Sequence, residues 1–447
     1  MNFLRSLFQK HDTSKVFTPT RSAKLSYIKR PELETKIESC LQNNGRQLVL
    51  YGVSGSGKTT IIRHILSSSQ KNKRFIYTIC DSKSTLESLL LSAFDKLNKY
   101  YISSSNSKTT IKVSNDLKTE ITKLGTSIGS SISQENGFTQ TRILPPQLTP
   151  QKLAEYLGEL KLVWIIEDFH KVEDNEKKKI ADILKIFIDV ANDYEEVRII
   201  CIGANGSAKE LIDIDSNLYP RVAQINIPLL TDEEIYKIIE RGESLLRIKM
   251  SPKLKDKIVH YSCNVASIAH QMCFDICNAN GIKKTQLVIK EIGESSFKDA
   301  VNAYVNTNSD SFKSVYEEIV RDQRSWYILR TLSEADERGM SFDTLYDKYL
   351  RSRPQKSIPK KEAFDQLRSL SNCETSIIKY NPNSDKFYIS TPFWQAFVRM
   401  QQAMEAVQSK KQKNKRKLDL TLKSQEDLDA IVYDRMLKLL EQFKSNS

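Results

Sequence analysis

The sequence predicts an α/β protein in which a central parallel sheet is followed by two largely helical parts. Five short apolar runs, each suited to a buried strand, alternate with amphipathic helical patterns between residues 47 and 228. Strands that alternate with helices in this way form parallel sheets covered on both faces, so a doubly wound α/β core is expected. From Thr231 onward the apolar residues recur at helical spacing, which predicts a change of architecture there.

The first apolar run leads through a glycine-rich turn into a helix, with the sequence QLVLYGVSGSGKTTIIRHIL at 47–66. The turn fits G-x-x-x-x-G-K-[ST], the phosphate-binding loop of P-loop NTPases, at every position. Its glycines let successive N–H groups converge, and the helix that follows directs its positive dipole end at the same point. Lys58 is placed to reach the β and γ phosphates of ATP, and the Thr59 hydroxyl to coordinate Mg²⁺. The sequence therefore predicts ATP and Mg²⁺ as cofactors, held by Gly52, Val53, Ser54, Gly55, Ser56, Gly57, Lys58, Thr59 and Thr60.

A second group of polar residues ends the apolar run in KLVWIIEDFHKV, residues 161–172. Ligands of parallel sheets bind at the carboxyl ends of the strands, where Glu167 and Asp168 are expected. Two carboxylates at that edge can hold Mg²⁺ and orient an attacking water. Thr59, Glu167 and Asp168 are therefore the predicted metal ligands. Either carboxylate could be the catalytic base.

Asn205 follows the next buried strand, in EEVRIICIGANGSAKEL at 195–211. At the same sheet edge its amide could hydrogen-bond a γ-phosphate or a water, and we include it among the catalytic candidates. An Asn that accommodates a left-handed turn is an equally good interpretation.

The composition constrains where the protein acts and what it binds. The 447 residues suggest about three domains, and the sequence contains neither a membrane-length apolar run nor a secretory signal, so a cytoplasmic protein is expected. The seven cysteines include no C-x-x-C pair, which indicates reduced core thiols and no zinc site. A net charge of +13 favours an acidic partner such as nucleic acid, with basic clusters at 351–361 and 410–417. The alternative is a lysine-rich surface.

We divide the chain into five parts by composition and pattern. Residues 306–405 contain helices followed by two extended segments, the order of a winged helix-turn-helix. Residues 424–443 predict a C-terminal amphipathic helix whose apolar stripe needs a partner from this chain or another. The parts are an N-terminal arm at 1–26, an ATPase core at 27–229 with an insertion at 103–150, a helical lid at 230–305, a winged-helix-like domain at 306–405, and a basic linker with the C-terminal helix at 406–447.

Several segments together resemble the AAA+-like ATPases, and in particular the STAND NTPases and the origin-recognition-type initiators. They are YIKRPELETKI, GVSGSGKTT, WIIEDFH, IICIGAN and YPRVAQINIP, followed by a helical region and a winged helix. The resemblance implies an ATP-binding core, a lid that closes over the nucleotide and a winged helix that reports the nucleotide state. In such ATPases an arginine from a neighbouring subunit stabilises the transferred phosphoryl group, and Arg221 is the candidate by position; the alternative is a surface arginine. Because Glu167 precedes Asp168, where such families usually place Asp first, slow hydrolysis is expected.

Two functions follow from this resemblance. The first is an ATP-dependent switch that forms homo-oligomers or signals to a protein effector, for instance in antiviral defence. The second is an ATP-dependent DNA-binding initiator or loader, in which the winged helix contacts phosphates. The residues predicted to make those contacts are Lys360, Lys361 and Arg368, with Arg351, Arg353 and Lys356 alongside.

Overall fold

The structure is a computed structural model that describes residues 10–68, 74–97, 148–204, 218–321, 323–336, 339–352, 358–372 and 377–406. Two compact units divide the chain. The first consists of the chain up to Leu245 together with Asn264–Ser267, and the second of Leu246–Cys263 and the chain from Ile268 onward. The boundary therefore falls inside the region predicted as a lid. Nearly all of the predicted insertion at 103–150 lies outside the described residues.

A five-stranded parallel sheet forms the centre of the first unit and confirms the predicted α/β core. Its strands are β1 Gln47–Tyr51, β2 Arg74–Ile79, β3 Leu162–Glu167, β4 Arg198–Gly203 and β5 Val222–Asn226. Their order across the sheet is β2-β3-β4-β1-β5. The strand that carries the phosphate-loop motif, β1, thus lies between β4 and β5, and β4 separates it from the acidic strand β3.

The three inner strands, β1, β3 and β4, are buried on both faces of the sheet, which explains why they are nearly continuous apolar runs. In β3, Trp164 and Ile166 pack into one hydrophobic cluster and Val163 and Ile165 into another on the opposite face. The indole N–H of Trp164 donates to the Thr78 hydroxyl at 3.0 Å, so the polar atom of this fully buried side chain is paired.

Helices of the first unit cover the two faces, and some of them begin at capping residues. Thr85 and Thr149 accept backbone N–H groups of their helices at 3.3 Å and 3.2 Å, and Pro31 occupies a first-turn position. The helices are α1 Thr13–Val16, α2 Pro31–Gln42, α3 Lys58–Ser68, α4 Leu86–Lys96, α5 Pro150–Glu159, α6 Asp174–Val190 and α7 Asp232–Leu246.

The N-terminal arm, from residue 10 onward, packs on α7. Phe17 is fully buried, and a Cβ added at Gly242 would overlap its ring. Arg241 donates to the Leu25 carbonyl at 3.2 Å, and the Ser26 hydroxyl donates to the Val16 carbonyl at 2.5 Å. The sequence predicted an arm here but not what it contacts.

A capping box begins α7. The Thr231 N–H donates to Glu234 at 2.9 Å, and the Glu234 N–H donates to the Thr231 hydroxyl at 3.2 Å. Arg30 reaches the same place from the start of α2, forming an ion pair with Glu234 at 3.0 Å and donating to two carbonyl groups just before α7. These contacts attach the first helix after the sheet to the segment that precedes the phosphate loop.

The second unit contains more strand than the sequence predicted. The predicted lid at 230–305 was expected to be all-helical, yet β6 Ile248–Met250 and β7 Lys290–Ile292 form a two-stranded parallel sheet. Such short strands have too few residues to show a period of two. The helices are α8 Pro252–Ser262, α9 Ala266–Ala279, α10 Phe297–Thr307, α11 Ser309–Val320, α12 Gln323–Ser333, α13 Phe342–Ser352, α14 Lys360–Ser371 and α15 at 392–406.

A three-stranded antiparallel sheet accompanies the later helices. Its strands are β8 Met340–Ser341, β9 Ile378–Asn381 and β10 Lys386–Ile389, in the order β8-β10-β9. The chain thus runs through α12, β8, α13 and α14 before the β9–β10 hairpin. Among the described residues, no helix is both long enough and apolar enough to span a membrane.

Candidate functional site

The phosphate-loop motif forms a tight turn between β1 and α3. Gly52, Gly55 and Gly57 have φ values of +154°, +84° and +87°, which side-chain-bearing residues rarely adopt. A Cβ at Gly52 would overlap the Ile227 carbonyl oxygen, whereas one at Gly57 would meet nothing within 4 Å. Position 52 thus needs glycine because the neighbouring backbone is close and because its φ is positive. Position 57 needs glycine because of its positive φ alone.

Lys58 begins α3 and turns back over the loop. Its ammonium group donates to the carbonyl oxygens of Gly52 at 2.9 Å and Val53 at 3.0 Å. Burial lowers the pKa of Lys58, and the carboxylates of Asp168 and Glu167 oppose that shift. The loop therefore holds a partly desolvated cation that faces two carboxylates.

The acidic residues of β3 lie beside the loop even though β4 separates their strands. Glu167 is level with Ile202 of β4, and Ile202 is level with Leu50 of β1. The Thr59 hydroxyl donates to the Glu167 carboxylate. Burial raises the pKa of Glu167, and the hydrogen bond from Thr59 opposes the shift. Two predicted metal ligands, one from the loop helix and one from β3, are thus in direct contact.

Asp168 adopts a left-handed conformation, with φ +58°, at the start of a short 3₁₀ turn, Phe169–Lys171. The strand therefore ends at Glu167. The Asp168 carboxylate forms an ion pair with Lys171 at 2.7 Å. Neighbouring carboxylates therefore have different partners: Glu167 faces the loop helix and Asp168 its own turn.

The remaining predicted site residues fall in three different places. Ser56 is buried and its hydroxyl has no hydrogen-bond partner in the described part of the chain. Asn205 lies outside the described residues, which stop at Ala204 after β4. Arg221 precedes β5, where its carbonyl accepts the Gln47 N–H at 3.0 Å, so it lies at the amino edge of the sheet. The phosphate loop lies at the opposite, carboxyl edge.

The structure adds a cation that the sequence analysis missed. Arg63 follows Thr59 by four residues on α3, and its guanidinium lies 4.4 Å from the centroid of the Tyr77 ring. Burial raises the pKa of Glu167 and the charge of Arg63 opposes that rise, while the Arg63 Nε is buried without a hydrogen-bond partner in the described residues. The spacing of four residues from Thr59 was the signal that could have identified it, since such residues share a helix face.

Two aromatic rings join the segment before α2 to the phosphate-loop helix. Tyr27 stacks on His64 with ring centroids 3.9 Å apart, and the Tyr27 hydroxyl donates to Glu34 at 2.7 Å. Burial raises the pKa of Tyr27. The segment before α2 is therefore fixed directly on the phosphate-loop helix.

The residues present suit a nucleotide and a divalent cation. Carboxylate and hydroxyl oxygens, as in Glu167, Asp168 and Thr59, are the ligands that Mg²⁺ prefers. The loop adds the ammonium of Lys58 and the buried hydroxyl of Ser56, which has no partner among the residues that the structure describes. These groups could hold a triphosphate and its metal ion.

A comparison with protein families identifies the chain. Residues 30–270, more than half of its length, match the model of a family described as an ATPase domain predominantly from Archaea. The chain belongs to this ATPase family. The matched range includes the phosphate loop, the acidic strand, and helices α7 and α8.

Several solved structures are similar in fold to this ATPase. A Walker-type ATPase of Pyrococcus abyssi has 15% identity and a TM-score of 0.47, with 86% of this chain and 99% of that one covered. The ORC2 protein of Aeropyrum pernix has 13% identity and a TM-score of 0.44, covering 89% and 99%. The RuvB Holliday junction branch migration motor of Thermotoga maritima has 12% identity and a TM-score of 0.38, covering 83% and 95%. The comparison with curated proteins finds no match.

Proposed function

We propose that this member of the ATPase family binds ATP with Mg²⁺, hydrolyses it slowly, and acts as an AAA+-like nucleotide-dependent switch. The observation that carries the proposal is the contact between Thr59 and Glu167. It joins the end of the phosphate loop to the end of the acidic strand, although the two are more than 100 residues apart in sequence and not adjacent in the sheet. A purely structural turn and a strand that merely ended in polar residues would have no reason to meet.

Bound ATP would supply the phosphoryl group, and Mg²⁺ would supply positive charge that compensates the negative charge of the phosphate oxygens. Within the chain, the loop N–H groups and Lys58 would bind the phosphates. The Thr59 hydroxyl and the Glu167 carboxylate would coordinate the metal ion. Asp168, one residue further, orients the attacking water. Because its carboxylate also pairs with Lys171, the base has to exchange one partner for another, which supports slow turnover.

Three variants test these roles. Lys58→Ala should weaken nucleotide binding about 10-fold to 100-fold, since it removes charge-assisted hydrogen bonds to the phosphates in the ground state. Glu167→Gln and Asp168→Asn should keep nucleotide affinity and lose turnover, because they act mainly in the transition state. Calorimetry with Mg²⁺ and ATP measures the first effect, and phosphate release measures the second.

Lys185→Ala is a matched control, since it also removes a lysine charge, from a half-buried position on α6 where the lysine pairs with Asp182. If Lys58→Ala binds ATP as tightly as Lys185→Ala does, the loop is not a nucleotide site. If both carboxylate variants keep the wild-type rate, the assignment of β3 to catalysis is wrong.

Assembly is the second part of the proposed switch. Arg221 is exposed at the amino edge of the sheet, about 17 Å from the carboxyl edge if β5 is taken as five residues of roughly 3.3 Å each. An arginine side chain is too short to span that distance, so Arg221 could serve only the site of a neighbouring subunit. We therefore propose that ATP promotes homo-oligomers in which Arg221 acts on the neighbour's nucleotide.

DNA binding is a second candidate, supported by α14. Lys361 and Arg368 are exposed and seven residues apart, which places them on one helix face. Lys360, by contrast, forms an ion pair with Asp343 at 2.7 Å. If the α12–β10 region is a winged helix that binds DNA, duplex affinity should fall steeply with salt, and Lys361→Ala/Arg368→Ala should reduce that slope. No binding at low salt would leave the switch as the function.

A further inference from the structure

Three consecutive large apolar side chains protrude from one turn of the second unit. Leu287, Val288 and Ile289 are 80%, 78% and 59% exposed, and the first two are the most exposed large apolar residues in the part of the chain that the structure describes. Single exposed apolar residues are ordinary on protein surfaces, but a run of three exposes a continuous apolar patch that favours a partner. We refer to residues 287–289 as the apolar turn.

The backbone holds this turn in a fixed position. The Gln286 N–H donates to the Leu246 carbonyl at 2.9 Å, and the Lys290 N–H donates to the Arg247 carbonyl at 3.2 Å. The two acceptors are adjacent in sequence, whereas the two donors are four residues apart. The three residues between the donors therefore bulge out of the ladder that continues into β6 and β7.

Basic residues surround the apolar turn. Lys283 and Lys284 are exposed directly before it, and Lys290 is exposed directly after it. The Lys290 ammonium donates to the Asn280 carbonyl at 2.6 Å, which keeps that charge beside the turn. A suitable partner would present an apolar stripe flanked by carboxylates.

The C-terminal segment, residues 424–443, has this chemistry in its sequence. It carries five acidic and two basic residues. Its apolar stripe consists of Leu428, Ile431, Val432, Met436, Leu439, Leu440 and Phe443. This segment lies outside the described residues, which end with α15 at residue 406.

The chain between residue 406 and this segment is long enough to reach the turn. Roughly 17 residues at about 3.3 Å each extend to about 56 Å. A unit of about 200 residues has a radius of gyration of about 16 Å and hence a diameter of about 40 Å. A tether of this length also keeps the segment at a high effective concentration near the second unit.

We propose that the C-terminal segment of the same chain docks on the apolar turn, with its carboxylates facing Lys283 and Lys284. Docking would cover the apolar turn of the second unit and, at the same time, the apolar stripe of the C-terminal segment. It does not depend on the proposed ATPase activity, because it uses none of the nucleotide-site residues.

Disulfide trapping in the full-length chain tests the contact. Val288→Cys is combined in turn with Ile431→Cys, Met436→Cys or Leu439→Cys, and mild oxidation should form a disulfide within one chain for at least one pair. Of the six native cysteines in the described residues, all but Cys40 are buried, which limits competing reactions. Lys438→Cys, on the polar face, and Leu91→Cys in place of Val288→Cys are the matched controls. A disulfide formed only between chains would make a second copy the occupant and overturn the proposal.

Hydrogen exchange provides a measurement that needs no cross-link. Amides of 424–443 should exchange about 10-fold faster or more in Val288→Asp than in the wild type, since burial of an apolar side chain is lost. Leu91→Asp places the same charge at an unrelated exposed apolar position and should change nothing there. Lys283→Glu/Lys284→Glu should also accelerate exchange. Equal exchange in the wild type and Val288→Asp, together with no intrachain disulfide, would refute the docking.

Discussion

The contact between Phe17 and Gly242 allows a quantitative test of the N-terminal arm. Phe17 is fully buried, so Phe17→Ala should lower the free energy of unfolding of the first unit by about 3–5 kcal/mol. Gly242→Ala should destabilise the wild type by about 1–3 kcal/mol, because the new Cβ would overlap the Phe17 ring. In the Phe17→Ala background the ring is gone, and Ala at position 242 of α7 should instead stabilise by up to about 1 kcal/mol through its helix propensity.

The assay is urea unfolding of a Trp326→Phe/Trp394→Phe background, in which the fluorescence of Trp164 alone reports on the first unit. Trp164 is fully buried in the sheet, so its emission changes when the sheet opens. The expected result is a change of sign for Gly242→Ala between the two backgrounds. If its effect is the same in both within about 0.5 kcal/mol, the ring is not what excludes a side chain at Gly242.

Three further predictions concern charge. Burial lowers the pKa of His270 to about 4, so below its unfolded value of about 6.5 only the unfolded chain binds the proton. The free energy of unfolding should therefore fall by about 3 kcal/mol as the pH drops from about 6.5 to about 4, and His270→Gln should remove that part of the pH dependence in acid titrations of stability. Arg221→Ala should lower turnover without changing nucleotide affinity, and light scattering should show oligomers with a non-hydrolysable ATP analogue. Arg63→Ala should lower the rate constant for hydrolysis more than the nucleotide affinity, and Arg63→Lys should restore part of the rate, as measured by phosphate release and calorimetry.

Each of these can fail in a recognisable way. Identical stability profiles for the wild type and His270→Gln between pH 6.5 and 4 would show that this imidazole is protonated in the folded chain. A protein that stays monomeric while turning over ATP leaves no role for Arg221 at a neighbour's site. A loss of nucleotide affinity in Arg63→Ala equal to its loss of rate would indicate a structural role for that guanidinium.

Local patterns were sufficient for the parts of this protein that local chemistry controls. The glycine spacing of the phosphate loop requires positive φ values, and the structure has them at Gly52, Gly55 and Gly57. The capping box at Thr231 and Glu234 likewise joins residues only three apart in the chain. The five buried strands also appeared where apolar runs predicted them, because a strand buried on both faces must be apolar throughout.

Very short strands, and contacts between residues far apart in the chain, could not be predicted from local sequence patterns. The strands β6 and β7 have three residues each, too few for a periodic signal, and the region around them was predicted to be all-helical. The position of Arg63, which lies on helix α3, depends on its contact with Tyr77, a residue of strand β2. Gly242 has no neighbour in sequence that distinguishes it, and only the packing of Phe17 against it excludes a side chain there.

The sequence by itself determined the phosphate loop, the acidic pair and the α/β class, because each depends on residues that are neighbours in the chain. Only the tertiary structure decided that β4 lies between β1 and β3, that Thr59 nevertheless contacts Glu167, and that Arg221 lies at the opposite edge of the sheet. The physical reason is that many strand orders are compatible with the same local patterns, and the order depends on how the connections and helices of the whole unit pack. Contacts between residues far apart in sequence are fixed only when that order is chosen.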